Sequence, residues 1–343
     1  MRFPKTRRSL EIFTSLLAAA LLIAGIRLNV PKRHSAISIT YPDIIEPGQT
    51  LRILARGLSP GSEPGLSFLG AAHPFYRTGG GDYRALIGVP VDCKSGDYEW
   101  TLLGAAVRRA SSRSTGASIV PELSEGAGAS GSPQLPTPPW GSWVPGLSPW
   151  GSAGGRRPES RFPVYVRPPR YPSAELSIPK GKMALTQDPQ IQESAALIRS
   201  KLSLETADQL WKGKFRAPLR GKLTEIYGTR RRINRNAAWR THRGQDIAAK
   251  AGSPIQAPNS GEIVLTGAFP LQGNLVVVNH GQGVLSLYMH LESIAVREGQ
   301  RVAAGELIGA AGTTGFSTAP HLHWGLYIHG EAVDPQTWLE LEF

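Results

Sequence analysis

Cysteine is nearly missing from the 343 residues, with Cys93 standing alone. One thiol forms no intramolecular disulfide, and a zinc site built on cysteines is excluded. Acidic charge is scarce as well: 26 Asp and Glu face 38 Lys and Arg, for a formal net charge of +12. One apolar run, Ile12 to Ile26, is broken only by Thr14 and Ser15. It is short for a membrane helix of about 20 residues. No lysine follows Lys250, so nothing beyond it can carry a lysine-borne prosthetic group.

What is present begins with an address. Arg2, Lys5, Arg7 and Arg8 precede the apolar run, the order of a signal peptide's basic and apolar regions. No small-x-small cleavage pattern follows, because the run leads into Arg27-Leu28-Asn29. Two readings of 1–30 stay open, a cleaved signal peptide and an uncleaved anchor in the inner membrane. Both export the bulk of the chain, with the basic end left inside. Export makes nucleic acid an unsuitable partner for the positive charge. That charge concentrates between Lys201 and Gln245, where twelve Lys and Arg face Glu205, Asp208 and Glu225. Such a stretch suits an anionic polymer of the cell envelope, or is a solvated face with no partner.

From 36 to 106, short runs such as I-S-I-T-Y and L-R-I-L-A-R alternate apolar and polar residues with period two. Turn chemistry at Gly79-Gly80-Gly81 and Lys94-Ser95-Gly96 separates them. This predicts a β-sandwich-like accessory domain. Residues 107–161 are rich in Gly, Ser and Pro and lack any period, so they cannot offset their chain entropy and are expected to be disordered. Trp140, Trp143 and Trp150 fall within them and fit weak stickiness better than stacking on sugars. The run F-P-V-Y-V reads as a strand; if 162–167 completes the sandwich, 107–161 is an insertion in that domain. Ile191, Ala195, Ile198 and Leu202 recur at helical spacing, predicting a helix from Pro189 to Leu204 within a helical connector at 185–213. Arg230 to Arg240 reads as a loop. Strands dominate from Asp246 onward, so the fold is mainly β. In V-L-S-L-Y-M-H, alternation predicts that Ser286, Tyr288 and His290 share one face.

The chemistry lies with the histidines. His321 and His323 are two apart in a strand and so project to one side. Two adjacent imidazoles are costly there unless something binds them. His242 and Asp246 add a nitrogen and a carboxylate oxygen. Two His and one Asp, with a fourth position for water, is the ligand set of a catalytic zinc site. One imidazole of the pair and His290 are then free for proton transfer. Gly244 between His242 and Asp246 argues against the helical pair of an H-E-x-x-H motif and for a loop leading into a strand. Asp246 is either a ligand or a group orienting His242.

These residues sit in a longer pattern: H-R-G-Q-D-I-A-A at 242–249, S-L-Y-M-H-L at 286–291 and G-T-T-G-F-S-T-A-P-H-L-H-W at 312–324. The pattern resembles the lysostaphin/LytM-type zinc metallopeptidases of family M23, the peptidoglycan endopeptidases. The resemblance implies an antiparallel β peptidase domain at 214–343, with zinc held by His242, Asp246 and His323 and catalysis by His290 and His321. It further implies hydrolysis of peptide bonds in peptidoglycan stem peptides or cross-bridges, at the cell envelope. Ala319 stands where the family usually has Gly, and Gly325 where an acidic residue is common, which bears on substrate fit. The alternative is a non-catalytic LytM-like module that binds and regulates other wall hydrolases. The V-x-x-G spacing at 296–309 also resembles lipoyl and biotinyl carrier hairpins, which the missing lysine rules out.

Overall fold

The computed structural model describes residues 37–58, 64–103, 160–234 and 238–343. The readings of 1–30 and of nearly all of 107–161 lie outside them. Among the described residues no helix is long and apolar enough to cross a membrane. The chain is mainly β.

The alternating segments near the start form two antiparallel-rich sheets. One runs Ser38–Thr40, Thr50–Arg56, Tyr83–Gly88, Tyr76–Arg77; the other runs Ile44–Ile45, Ser160–Val166, Gly96–Leu103, Gly65–Phe68, Ala71–Pro74. In Ser160–Val166, Phe162, Val164 and Val166 turn into the core while Arg161, Pro163 and Tyr165 face out, the period-two division of a half-buried strand. Trp100 stacks on Phe162 at 4.2 Å between ring centroids, with Tyr41 edge-on at 5.3 Å.

Tyr83–Gly88 is buried on both faces. Tyr83, Ala85 and Ile87 fill the sandwich, while Leu86 joins the core of the C-terminal sheet. Arg84 on that second face donates to the Phe343 carbonyl (2.8 Å), to Gln209 (2.9 Å) and to Gln282 (2.5 Å). These Nη bonds, with the guanidinium carbon 4.9 Å from the Trp211 ring centroid, tie the sandwich to the C-terminal sheet, while Nε has no hydrogen-bond partner among the described residues.

Helix in the connector is confined to Ile191–Leu202, preceded by a short helical turn at Lys180–Met183 and a 3-10 turn at Ala184–Gln187. Ile198 and Leu202 pack on Leu265, Leu275, Val277, Leu285 and Leu287. The helical expectation for 203–213 fails because its backbone bonds go elsewhere. Gln282 N–H donates to the Thr206 carbonyl and Leu210 N–H to that of His280, both at 2.8 Å. Pairing to a neighbouring turn displaces the local i to i−4 bonds, and Trp211 is buried by it.

The C-terminal sheet is antiparallel, in the order Leu223–Glu225, Gln245–Ala248, His321–Ile328, Val284–Ile294, Gly273–Gly281, Gly261–Phe269, Arg301–Val302. Leu322, Trp324, Leu326 and Ile328 point into one core, so His321 and His323 look out of the opposite face. The expected loop at 230–240 instead begins and ends in paired strands. Arg230–Ile233 pairs antiparallel with Arg240–Thr241 and parallel with Ser173–Leu176. Arginines on both faces of the strand hide the apolar alternation by which strands are read.

Candidate metal centre

Three neighbouring strands supply the site. Gln245–Ala248 pairs with His321–Ile328 so that Asp246 faces His323 and Ala248 faces His321. Met289 of the central strand faces His323 from the other side. His242 enters from the short loop before Gln245. A Cβ on Gly244 would lie 2.7 Å from His323 Nε2 and 2.6 Å from the Trp324 carbonyl. Only glycine lets the loop pass this close to the ligand strand.

His242 Nε2, Asp246 Oδ1 and His323 Nδ1 form a closed triangle. The separations are 2.9 Å between the two imidazoles, 2.8 Å from His323 to Asp246 and 3.1 Å from His242 to Asp246. All three residues are buried. Donors held 2.0–2.1 Å from a tetrahedral ion stand roughly 3.3 Å apart, close to these edges. Proton counting supports the same fit. His242 Nδ1–H donates to the Ile226 carbonyl at 3.1 Å, which leaves its Nε2 a bare acceptor. Asp246 is ionised: burial alone would raise its pKa, but the closeness of His242 and His323 holds it well below the usual carboxylate range. One proton at most, on His323 Nδ1, remains for three acceptors. Two lone pairs facing each other at 3.1 Å in a buried pocket are costly without a cation between them. Burial lowers the His323 pKa to about 4, with His242 and Arg231 adding to the effect against Asp246, so its imidazole is neutral, as a metal ligand must be.

His290 and His321 stand beside the triangle, their rings 4.9 Å apart. Strict alternation would turn His290 into the core with Tyr288, and that expectation is overturned. The pairing with Gly273–Gly281 slips between Tyr288 and Leu291, and His290 takes φ +65°. This bulge gives Leu291 the core position and turns His290 to the face where His321 and His323 project. Ser286 and Tyr288 bond each other at 2.8 Å inside the core, away from the site.

Both imidazoles are fixed through Nδ1. His290 donates to the Thr314 carbonyl (2.9 Å) and His321 to that of Ala319 (2.8 Å). Each then offers Nε2 as an acceptor, and His321 Nε2 lies 3.9 Å from Asp246 Oδ1. Burial first, then the neighbouring His321 and His323, lowers the His290 pKa to about 3. Lys182 braces this region by donating to the carbonyls of Thr313 (3.3 Å) and Gly315 (2.8 Å).

All five sequence-predicted residues therefore meet in one cluster. Two further side chains, Arg231 and Glu225, carry no such signal in the sequence. Arg231 donates to Asp246 Oδ2 at 2.5 Å and to both Glu225 oxygens at 2.6 and 2.7 Å.

Residues 240–335 match the family model described as Peptidase family M23. The peptidoglycan DD-endopeptidase ShyA of Vibrio cholerae serotype O1 is 41% identical over 93 residues, 27% of this chain and 22% of that protein. The DD-carboxypeptidase/endopeptidase Mpg of Neisseria meningitidis serogroup B is 44% identical over 97 residues, 28% of this chain and 22% of that protein. The chain thus spans about a fifth of the length of these curated relatives. The crystal structure of a peptidase M23 from Pseudomonas aeruginosa matches with a TM-score of 0.51 over 85% of this chain and 93% of that one, at 22% identity. That likeness concerns the fold alone.

Proposed function

With an M23 peptidase domain at residues 240–335 as the premise, we propose that the chain is a zinc-dependent endopeptidase acting on the stem peptides or cross-bridges of peptidoglycan. The observation that carries this reading is the buried triangle of His242, Asp246 and His323 with two neighbouring imidazoles aimed past it. The names of the two relatives support the substrate class, one a peptidoglycan DD-endopeptidase and the other a DD-carboxypeptidase/endopeptidase. His242 Nε2, Asp246 Oδ1 and His323 Nδ1 would hold the ion. A zinc ion in such a site supplies Lewis acidity toward the scissile carbonyl and lowers the pKa of a coordinated water to about 7.

The chain's own residues provide the proton chemistry. Nε2 of His290 or His321 accepts a proton during attack, because each Nδ1 is already committed to a backbone carbonyl. The resulting imidazolium donates to the oxyanion or to the leaving amine. Asp246 stays ionised and balances the positive charge. The non-catalytic alternative has nothing in the site to favour it, since no member of the set is missing.

Envelope localisation belongs to the same proposal, with the apolar N-terminal run exporting or anchoring the chain. Part of the basic stretch 201–245 is already committed, Arg231 to Glu225 and Asp246, and Arg232 to Glu175. Exposed Lys212, Lys214, Arg216, Arg220 and Lys222 are proposed to meet anionic wall polymers. Purified protein should release muropeptides from isolated peptidoglycan, and a chelator should stop the release. Inertness toward every wall type, with zinc bound, would leave the endopeptidase reading without support.

A further inference from the structure

The strand Arg230–Ile233 divides its three arginines between two faces. Arg230 and Arg232 lie over the exposed Trp239, their guanidinium carbons 5.4 and 4.9 Å from its ring. Arg231 turns the other way and is mostly buried, its side chain 23% exposed. It meets Glu225 and Asp246, which are register partners on adjacent strands. Two carboxylates directly opposite each other repel, and Arg231 is the cation between them. It gives Nε and Nη2 to Glu225 as a fork, and Nη2 also reaches Asp246 Oδ2.

This arrangement separates the two oxygens of Asp246. Oδ1 faces His242 and His323, while Oδ2 is held in a charge-assisted bond pointing away from them. A carboxylate with both oxygens free can swing and offer both to one ion, filling a place that a water or a substrate carbonyl needs. We propose that Arg231, locked by Glu225, is a positioning residue that restricts Asp246 to a single-oxygen ligand and so keeps the metal centre open. The inference rests on the metal-site reading above. It also explains why the middle residue of the triplet is Arg: a lysine has no planar fork to span Glu225 and Asp246 together.

The test loads the purified full chain with Co2+, whose visible absorption is intense when four-coordinate and weakens at higher coordination. Affinity is measured by competition with a chelating dye. Wild type should bind one cobalt with an intense four-coordinate spectrum. Arg231→Met should lower affinity by about 10- to 100-fold and weaken the band as Asp246 contributes its second oxygen. Arg231→Lys should recover only part of either effect. Glu225→Gln, which leaves Arg231 in place but removes the charge that locks it, should shift both readouts the same way and serves if Arg231→Met does not fold. Wild-type affinity and spectrum in folded Arg231→Met, or in Glu225→Gln where Arg231→Met is unfolded, overturn the assignment. Failure of wild type to bind cobalt or zinc overturns the metal-site reading as well.

Discussion

At the scale of single residues, the site depends on close approach and on fixed tautomers. Gly244 is the sharpest case, because a methyl group there meets both His323 and the Trp324 carbonyl below 3.0 Å. Gly244→Ala should destabilise the fold by about 1–3 kcal/mol and displace His323 from the triangle, seen as a lower melting temperature and weaker zinc binding. A variant with unaltered zinc affinity would show that the loop yields without disturbing the ligand. His323→Ala should lose most of its zinc outright, whereas retained one-to-one stoichiometry would remove His323 from the ligand set. That the four histidines and Asp246 belong together was legible in the sequence from donor chemistry, while their division into ligands and catalytic groups came only from the resemblance to family M23. Arg231 and Glu225 were not legible there. They differ from other surface charges only in being brought opposite Asp246 by strand pairing, which no local pattern records.

At the scale of elements, the same limit appears in the central strand. Alternation reads Ser286 and Tyr288 correctly as neighbours on one face, and then fails at His290, where one extra residue enters the ladder. A bulge leaves no signature in a string of β-formers, yet it moves the imidazole from core to site. The loop 312–320 that receives His290 Nδ1 is in turn held by Lys182, on the helical turn Lys180–Met183. Lys182→Ala should therefore cost on the order of 1 kcal/mol and speed amide hydrogen exchange at 312–316, with zinc content unchanged. Exchange rates equal to wild type would mean that the lysine follows the loop and does not brace it. The helix Ile191–Leu202 was legible from its apolar spacing, while the rest of the connector to residue 213 is not helical because its bonds are tertiary.

At the scale of the whole molecule, the sandwich and the C-terminal sheet share a boundary at Tyr83–Gly88. Period-two alternation announced the strands of the sandwich, but not that Arg84 and Leu86 would be buried against a second domain. Glu331 lies at this boundary, where a methyl on Gly88 would come within 3.0 Å of its Cβ. Burial pushes its pKa from 4.5 up to about 7, with Asp92 adding and Arg243 opposing. The folded state thus holds this proton more tightly than the unfolded chain. Its contribution is fully present below pH 4.5 and is lost as pH rises through about 7. Glu331→Gln should accordingly be more stable than wild type at pH 8, by roughly 1–2 kcal/mol after solvent screening, with little difference at pH 4.5. Denaturant titrations at the two pH values check the sign, and an equal difference at both would remove Glu331 as the cause.

The most direct test of the whole account is muropeptide release from peptidoglycan by wild type, His290→Ala and His321→Ala, each assayed for bound zinc. Wild type should release peptide fragments. Each variant should keep its zinc and fold but lose at least about 100-fold in rate, the lower range for a general acid–base group. If wild type holds zinc yet cleaves no wall type, or if both variants cleave at the wild-type rate, the catalytic assignment is contradicted.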